Sequence, residues 1–175
     1  MSEHTHSHVA PRDRRYTAWV ITVSDKASRG ERADAGGPAV VSFLEENGFD
    51  VVGTSLVPDD QARIAVELIR AAEGAGVDLC VTTGGTGFSL RDVTPEATLS
   101  VVERLAPGVV EHIRQKSFEK TPHAILSRAV CGIRRQTVIL NLPGSPRGAV
   151  ESLAFVLDPL KHGIDVLKGV IGEHA

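Results

Sequence analysis

The chain has 175 residues, 42% hydrophobic but only 4% aromatic, with 19 Lys and Arg against 22 Asp and Glu and a formal charge of −3. That length suits one domain of about 100–200 residues, its core must be aliphatic, and the acidic balance argues against nucleic-acid binding, which needs a basic face. No apolar run approaches the ~18–20 residues of a membrane span and the polar N-terminus carries no secretory signal, so a cytoplasmic protein with no membrane partner is expected.

Residues 1–15 (MSEHTHSHVAPRDRR) read as a disordered tail. His4, His6 and His8 alternate there as solvated side chains without the fixed geometry of a metal site, which leaves 16–175 as a single domain. Tyr16 to Val23 is nearly continuous in apolar and β-branched residues, the pattern of a strand buried on both faces. It stops at Ser24 and Asp25, polar groups at the edge where open α/β sheets bind ligands. The loop from Lys26 to Gly37 is polar and long enough to close over something. A helix from about Pro38 to Asn47 follows, ended by Gly48.

Phe49 to Val57 is a second strand, and IAVELIRAA after it places Ile64, Leu68 and Ala72 on one helix face. Between them, one of Asp59 and Asp60 serves as a helix cap. Two acids in a row exceed what a cap requires, and they stand at the same sheet edge as Ser24 and Asp25. Val77 to Val81 is a third strand, broken only by Asp78. Cys80 and Cys131 both sit in apolar runs and read as buried small hydrophobes.

The stretch after the third strand, TTGGTGFSLRDVTPEAT (Thr82 to Thr98), is the most informative in the chain. Gly84, Gly85 and Gly87 let backbone N–H groups approach a ligand closely. Thr94-Pro95-Glu96 opens a helix, with a hydroxyl to cap it, proline where its missing N–H costs nothing, and an acid in the first turn. Strand, glycine turn and helix N-terminus together form a phosphate cradle. Asp92 has the wrong charge for a bare phosphate, so it either shares a divalent cation with the phosphates or handles a proton. The helix from Thr94 should carry Leu99, Val102 and Leu105 and break at Pro107-Gly108, with a further helix over about Val109 to Lys120. Ala129 to Ile133 and Thr137 to Leu142, joined by Arg134-Arg135-Gln136, suggest a hairpin. Asn141-Leu-Pro-Gly-Ser-Pro146 is a second strand-to-turn signal, and the last helix is interrupted or kinked at Pro159. The alternation of strands and helices specifies an α/β three-layer sandwich: a mostly parallel central sheet flanked by helices, with a small antiparallel hairpin added.

Two familiar phosphate motifs fail against these letters. A G-x-G-x-x-G fingerprint beginning at Gly85 ends on Leu90, and the chain has no Gly-Lys for a P-loop. The longer string, together with Pro58-Asp59, Ile125-Leu-Ser-Arg128 and Asn141-Leu-Pro-Gly-Ser-Pro146, closely resembles the molybdenum-cofactor biosynthesis proteins that include molybdopterin adenylyltransferase. The resemblance runs from Tyr16 to about Gly169. It implies that AMP passes from ATP to the terminal phosphate of molybdopterin with release of pyrophosphate, Mg2+ being the cofactor. It also implies a homotrimer and a hand-off to a molybdate-insertion protein.

Residue by residue, the resemblance assigns Asp59 and Asp92 as catalytic and metal-holding positions, with Asp60 the weaker of its pair. Ser24, Asp25, Thr83, Gly84, Gly85, Thr86 and Gly87 would contact phosphate or pterin. Ser117 and Ser127 match pterin-side serines, and Gly144 and Ser145 would line the same pocket. Arg91, Arg128 and Lys116 are either anion partners or exposed salt-bridge residues. An alternative is a non-catalytic scaffold that binds molybdopterin without transferring anything.

Overall fold

Side-chain alternation along the strands builds the architecture. In β1 (Tyr16–Val23), Ala18 and Val20 enter one apolar cluster while Trp19, Ile21 and Val23 enter another on the opposite face. In β3 (Leu79–Thr83), Leu79 and Val81 face the first cluster and Cys80 the second. In β6 (Thr137–Leu142), Val138, Leu140 and Leu142 oppose Ile139 in the same way. Strands covered on both faces must be apolar on both, and these are.

The computed structural model describes residues 14–171. The remaining elements are a helical turn α1 (Asp25–Ser28), α2 (Gly36–Glu46), β2 (Phe49–Val57), α3 (Gln61–Ile69), α4 (Thr94–Val101), β4 (Arg104–Leu105), α5 (Pro107–Phe118), β5 (Cys131–Arg134) and α6 (Pro146–Leu167), with a π-helical turn at Arg70–Gly74 and a 3-10 turn at Pro122–Leu126. The sheet order is β2-β1-β3-β6-β5-β4. The first four strands in that order are parallel, and β5 and β4 add antiparallel pairs at one edge. Helices α2, α5 and α6 cover one face and α3 and α4 the other. This is the expected three-layer α/β sandwich with its hairpin.

Several boundaries differ from the sequence reading. The helix opened by Thr94 ends at Val101, and Leu105 lies in the short strand β4 instead of on a helical stripe. Leu99 is exposed; Thr94, Pro95, Ala97, Thr98 and Val101 are the buried positions. Pro107 is the first residue of α5 rather than a break, since the N–H it lacks has no intrahelical partner there. Helix α6 runs unbroken through Pro159. A mid-helix proline costs about 3 kcal/mol, which the buried stripe of Leu153, Val156, Leu157, Leu160 and Ile164 offsets. Cys80 and Cys131 are buried free thiols, as expected.

Asp78, which interrupts the apolar run before β3, is buried beside Arg14 at 3.5 Å and Lys168 at 3.1 Å. Arg14 also reaches Asp165 at 2.8 Å, and Arg15 meets Asp50 at 2.6 Å. The last two residues assigned to the tail are thus anchored to the domain, while the histidines His4, His6 and His8 lie outside the described residues. The anchoring cluster sits at the N-terminal end of β1, opposite the edge that carries the glycine turn.

Tyr16, the chain's one tyrosine, donates to Asp165 at 2.9 Å. Its phenol pKa is pushed up to about 12, by burial first and then by the Asp165 hydrogen bond and charge. The unfolded chain loses this proton near pH 10. Between about pH 10 and 12 the unfolded state therefore binds fewer protons, and stability falls as pH rises. Absorbance at 295 nm should titrate with a midpoint near 12 in the native protein, and Asp165→Asn should bring the midpoint down.

Candidate active site

The site forms where β1, β3 and β6 end together. At the end of β3, Gly84 has φ +104°, and a Cβ there would stand 2.3 Å from the Val23 carbonyl oxygen. Gly85 has φ +68°, and its Cβ would meet Thr94 Oγ1 at 2.4 Å and Asp59 Oδ1 at 3.0 Å. Only glycine allows the turn this close to the end of β1 and to the Asp59 carboxylate. Thr94 does not cap α4 as expected: it is the first residue of the helix, with Val93 at the cap position, and its hydroxyl donates to the Gly84 carbonyl at 2.9 Å and fastens the turn. Thr83 Oγ1 donates to the Pro143 carbonyl at 2.8 Å, tying this turn to the one after β6.

Asp60 is the cap of α3, accepting from the Arg63 N–H at 2.9 Å, which leaves Asp59 free. Asp59 Oδ2 accepts from the Asp25 N–H at 2.9 Å, and Asp25 Oδ1 accepts from the Asp59 N–H at 3.0 Å. Arg91 closes on Asp25 with both ends of its fork, at 2.9 and 3.0 Å. That contact holds the Asp25 carboxyl below the usual carboxylate range. Burial pushes the Asp59 carboxyl above that range; the charges of Asp25 and Asp92 add to the effect, and the Asp25 N–H and Arg91 oppose it.

A cleft of about 650 Å³ is lined by Ser24, Asp59, Thr83, Gly84, Gly85, Asp92, Gly144 and Ser145. Eight of the sequence-predicted residues thus share one wall, with Asp59 and Asp92 together. Ser24 and Ser145 cap α1 and α6, accepting from Ala27 and Gly148 N–H groups at 3.1 Å each. Each hydroxyl keeps its own proton to donate. Ser117 and Ser127 line a second chamber of about 290 Å³ with Arg114, Lys120 and His123, and Ser145 belongs to both chambers. Three predicted residues stand off these walls: Asp25, engaged as above; Thr86, buried; and Gly87, whose carbonyl accepts from Arg128 Nε at 2.8 Å. Lys116 pairs with Glu119 at 3.2 Å.

The sequence reading missed Asp34 and Arg32, both on the first cleft wall. Asp34 accepts from Thr22 Oγ1 at 2.7 Å and from the Gly37 N–H at 3.0 Å. The pattern Asp-Ala-Gly-Gly-Pro before a helix is a capping signal that sequence reading can find. Arg32 carries no such signal. Asn141, in the strand where the strand-to-turn signal begins, is buried, donating to Thr82 Oγ1 at 3.1 Å and Thr98 Oγ1 at 2.8 Å and accepting from the Val130 N–H at 3.1 Å. Among the described residues no group of three or more His, Cys, Asp or Glu is placed to hold a metal alone.

Comparison with known proteins places this geometry. A family model described as "Probable molybdopterin binding domain" matches residues 19–162. The chain belongs to that family. The molybdopterin adenylyltransferase of Haemophilus influenzae is 44% identical over 153 residues, covering 86% of this chain and 77% of that protein. The molybdopterin adenylyltransferase of Escherichia coli K12 is 43% identical over 152 residues, covering 83% and 77% respectively. The crystal structure of the molybdopterin biosynthesis enzyme MoaB from Thermus thermophilus superposes with a TM-score of 0.83 at 45% identity, covering 88% of this chain and 97% of that one. The wall that joins Asp59, the glycine turn and Asp92 is therefore part of a molybdopterin-binding family member.

Gly85→Ala should destabilise the protein by about 1–3 kcal/mol in urea unfolding, because it combines positive φ with a collision against Asp59 and Thr94. Gly108→Ala, with open space around its Cβ in α5, should be neutral or mildly stabilising.

Proposed function

We propose that this chain is a molybdopterin adenylyltransferase that moves AMP from ATP to the terminal phosphate of molybdopterin and releases pyrophosphate. The observation that carries the reading is the placement of Asp59 and Asp92 on one wall beside the glycine turn, in a chain with relatives of this name over most of its length. A protein that only held anions would gain nothing from two carboxylates facing phosphate.

In this reading the first cleft takes the nucleotide. Backbone N–H groups of the glycine turn beyond Gly84, whose own N–H donates to the Leu142 carbonyl at 3.1 Å, and the Ser24 hydroxyl donate to its phosphates, and Arg32 adds a positive charge at the rim. The second chamber takes the pterin, with Ser117 and Ser127 as hydrogen-bond partners and Arg114 and Lys120 supplying positive charge. Ser145, on both walls, stands where the attacking phosphate meets the α-phosphorus. The chain's work is positioning and electrostatics, since phosphoryl-type transfer asks little covalent chemistry of the protein.

The carboxylates fit a magnesium ion. Neither Asp59 nor Asp92 has an ion-pair partner among the described residues, and burial makes an unshared charge on Asp59 costly. Two carboxylates with the remaining positions left to water and phosphate are how Mg2+ binds beside nucleotides. When bound, the ion neutralises phosphate charge as it shifts between oxygens. Asp59 and Asp92 would hold it, with Asp59 kept in place by Asp25. A homotrimer, a cytoplasmic setting and delivery of the product to a molybdate-insertion protein accompany this reading; sedimentation tests the first. The described helices include none long and apolar enough to cross a membrane.

The decisive experiment incubates the protein with molybdopterin, ATP and Mg2+ and follows adenylylated pterin. Product formation that stops on chelation is expected; bound pterin without product would favour a scaffold. Asp92→Asn should keep pterin affinity while lowering kcat by about 10²–10³-fold, the scale for loss of one transition-state charge contact. Ser127→Ala should instead weaken pterin binding, read by titration, with a smaller change in kcat.

A further inference from the structure

Residues 87–92, the limb of the glycine turn that ends in Asp92, contain no helix or strand, and Phe88 and Leu90 at the tip are exposed. Its internal bonds join Ser89 to Asp92 and Arg91: the Ser89 N–H to Asp92 Oδ2 at 3.1 Å, the Asp92 N–H to the Ser89 carbonyl at 2.9 Å and the Arg91 N–H to Ser89 Oγ at 3.2 Å. Those bonds shape the limb but do not locate it. Among the described residues, two guanidinium groups tie it by hydrogen bonds to the rest of the fold. One is Arg91, reaching out to Asp25 from an exposed position. The other is Arg128, reaching in.

Arg128 is half-buried and uses every edge of its plane. Nε donates to the Gly87 carbonyl at 2.8 Å, Nη2 to the Asp92 carbonyl at 2.8 Å, and Nη1 to the Glu96 carboxylate. Its own backbone N–H donates to the Thr86 carbonyl at 2.9 Å. One rigid group therefore grips the main chain at both ends of the limb. The preceding residue, Ser127, lines the second chamber, and Arg114 braces this segment through the Ser127 and Ala129 carbonyls at 3.3 Å each. We propose that Arg128 is a positioning residue for the transfer: its fork fixes the carbonyls of Gly87 and Asp92 and so sets where the Asp92 carboxylate stands. This rests on the adenylyltransferase reading above.

Geometry makes the residue type matter. A guanidinium presents five N–H donors in a fixed plane, whereas a lysine ammonium is a point charge on a flexible stem and cannot reproduce the three-way grip. An ordinary surface ion pair with Glu96 would tolerate that exchange. A catalytic carboxylate displaced by about 1 Å, by contrast, loses on the order of 10²-fold in rate.

The test compares wild type, Arg128→Lys and Glu96→Gln in the transfer assay with molybdopterin, ATP and Mg2+, alongside amide hydrogen exchange. Arg128→Lys should lower kcat by about 10- to 100-fold with both KM values within about threefold. It should speed exchange in residues 87–92 while leaving β3 and α6 as in wild type. Glu96→Gln keeps both carbonyl contacts and should retain at least about half of kcat. Wild-type kcat and exchange in Arg128→Lys would overturn the proposal. So would an equal loss in Glu96→Gln, or faster exchange throughout the sheet, which marks a general folding role. A wild-type protein that makes no adenylylated pterin strikes the transferase reading, and exchange in Arg128→Lys still decides whether the guanidinium holds the limb.

Discussion

The reciprocal bonds between Asp25 and Asp59 are the constraint on which the site depends. Each aspartate accepts the other's backbone N–H, so the ends of β1 and β2 are stapled by two bonds at 2.9 and 3.0 Å. The staple places two carboxylates close together, and Asp92 brings a third. Like charges at such range destabilise one another, which adds to burial in making Asp59 resist ionisation. Arg91 compensates from the solvent side by binding Asp25 with both ends of its fork. The chain thus tolerates a local concentration of negative charge where a bridging cation would relieve it.

The staple stands at a place that topology prepares. Strand β1 has β2 on one side and β3 on the other, and the connections to them run over opposite faces through α2 and α3. Open α/β sheets bind ligands in the crevice outside the strand ends where the order reverses in this way. Here the crevice is closed below by Gly84, pressed on the Val23 carbonyl, and by Gly144, whose Cβ would lie 3.4 Å from the Gly84 Cα. The collision at Gly84 bars a side chain there, and its N–H donates to the Leu142 carbonyl at 3.1 Å, so the floor of the crevice is main chain.

Beneath that floor, Asn141 joins β6 to β3 through Thr82, to α4 through Thr98 and to the Val130 backbone. A buried amide with its bonds made is neutral to mildly favourable, but each partner left unmatched costs about 1–3 kcal/mol. The same holds for Thr94, whose buried hydroxyl donates to the Gly84 carbonyl. Polar side chains below the site are committed to holding its backbone.

Local chemistry determined what the sequence settled by itself. Continuous apolar strands, the glycine turn after β3, and the acids at strand ends followed from periodicity and residue type, and they specified the α/β sandwich and the edge where Asp59 and Asp92 meet. Helix ends were less legible, because the stop at Val101 and the unbroken run through Pro159 are decided by tertiary burial, which overrides propensity. Only the folded chain could decide which of Asp59 and Asp60 is the cap, that Ser117 and Ser127 face a separate chamber, and that Asp34 and Arg32 join the first. The physical reason is distance along the chain: the Asp60 cap bond to Arg63 is local, but Asp59 is held by Asp25, 34 positions away, and the first chamber's wall joins segments as far apart as Ser24 and Ser145.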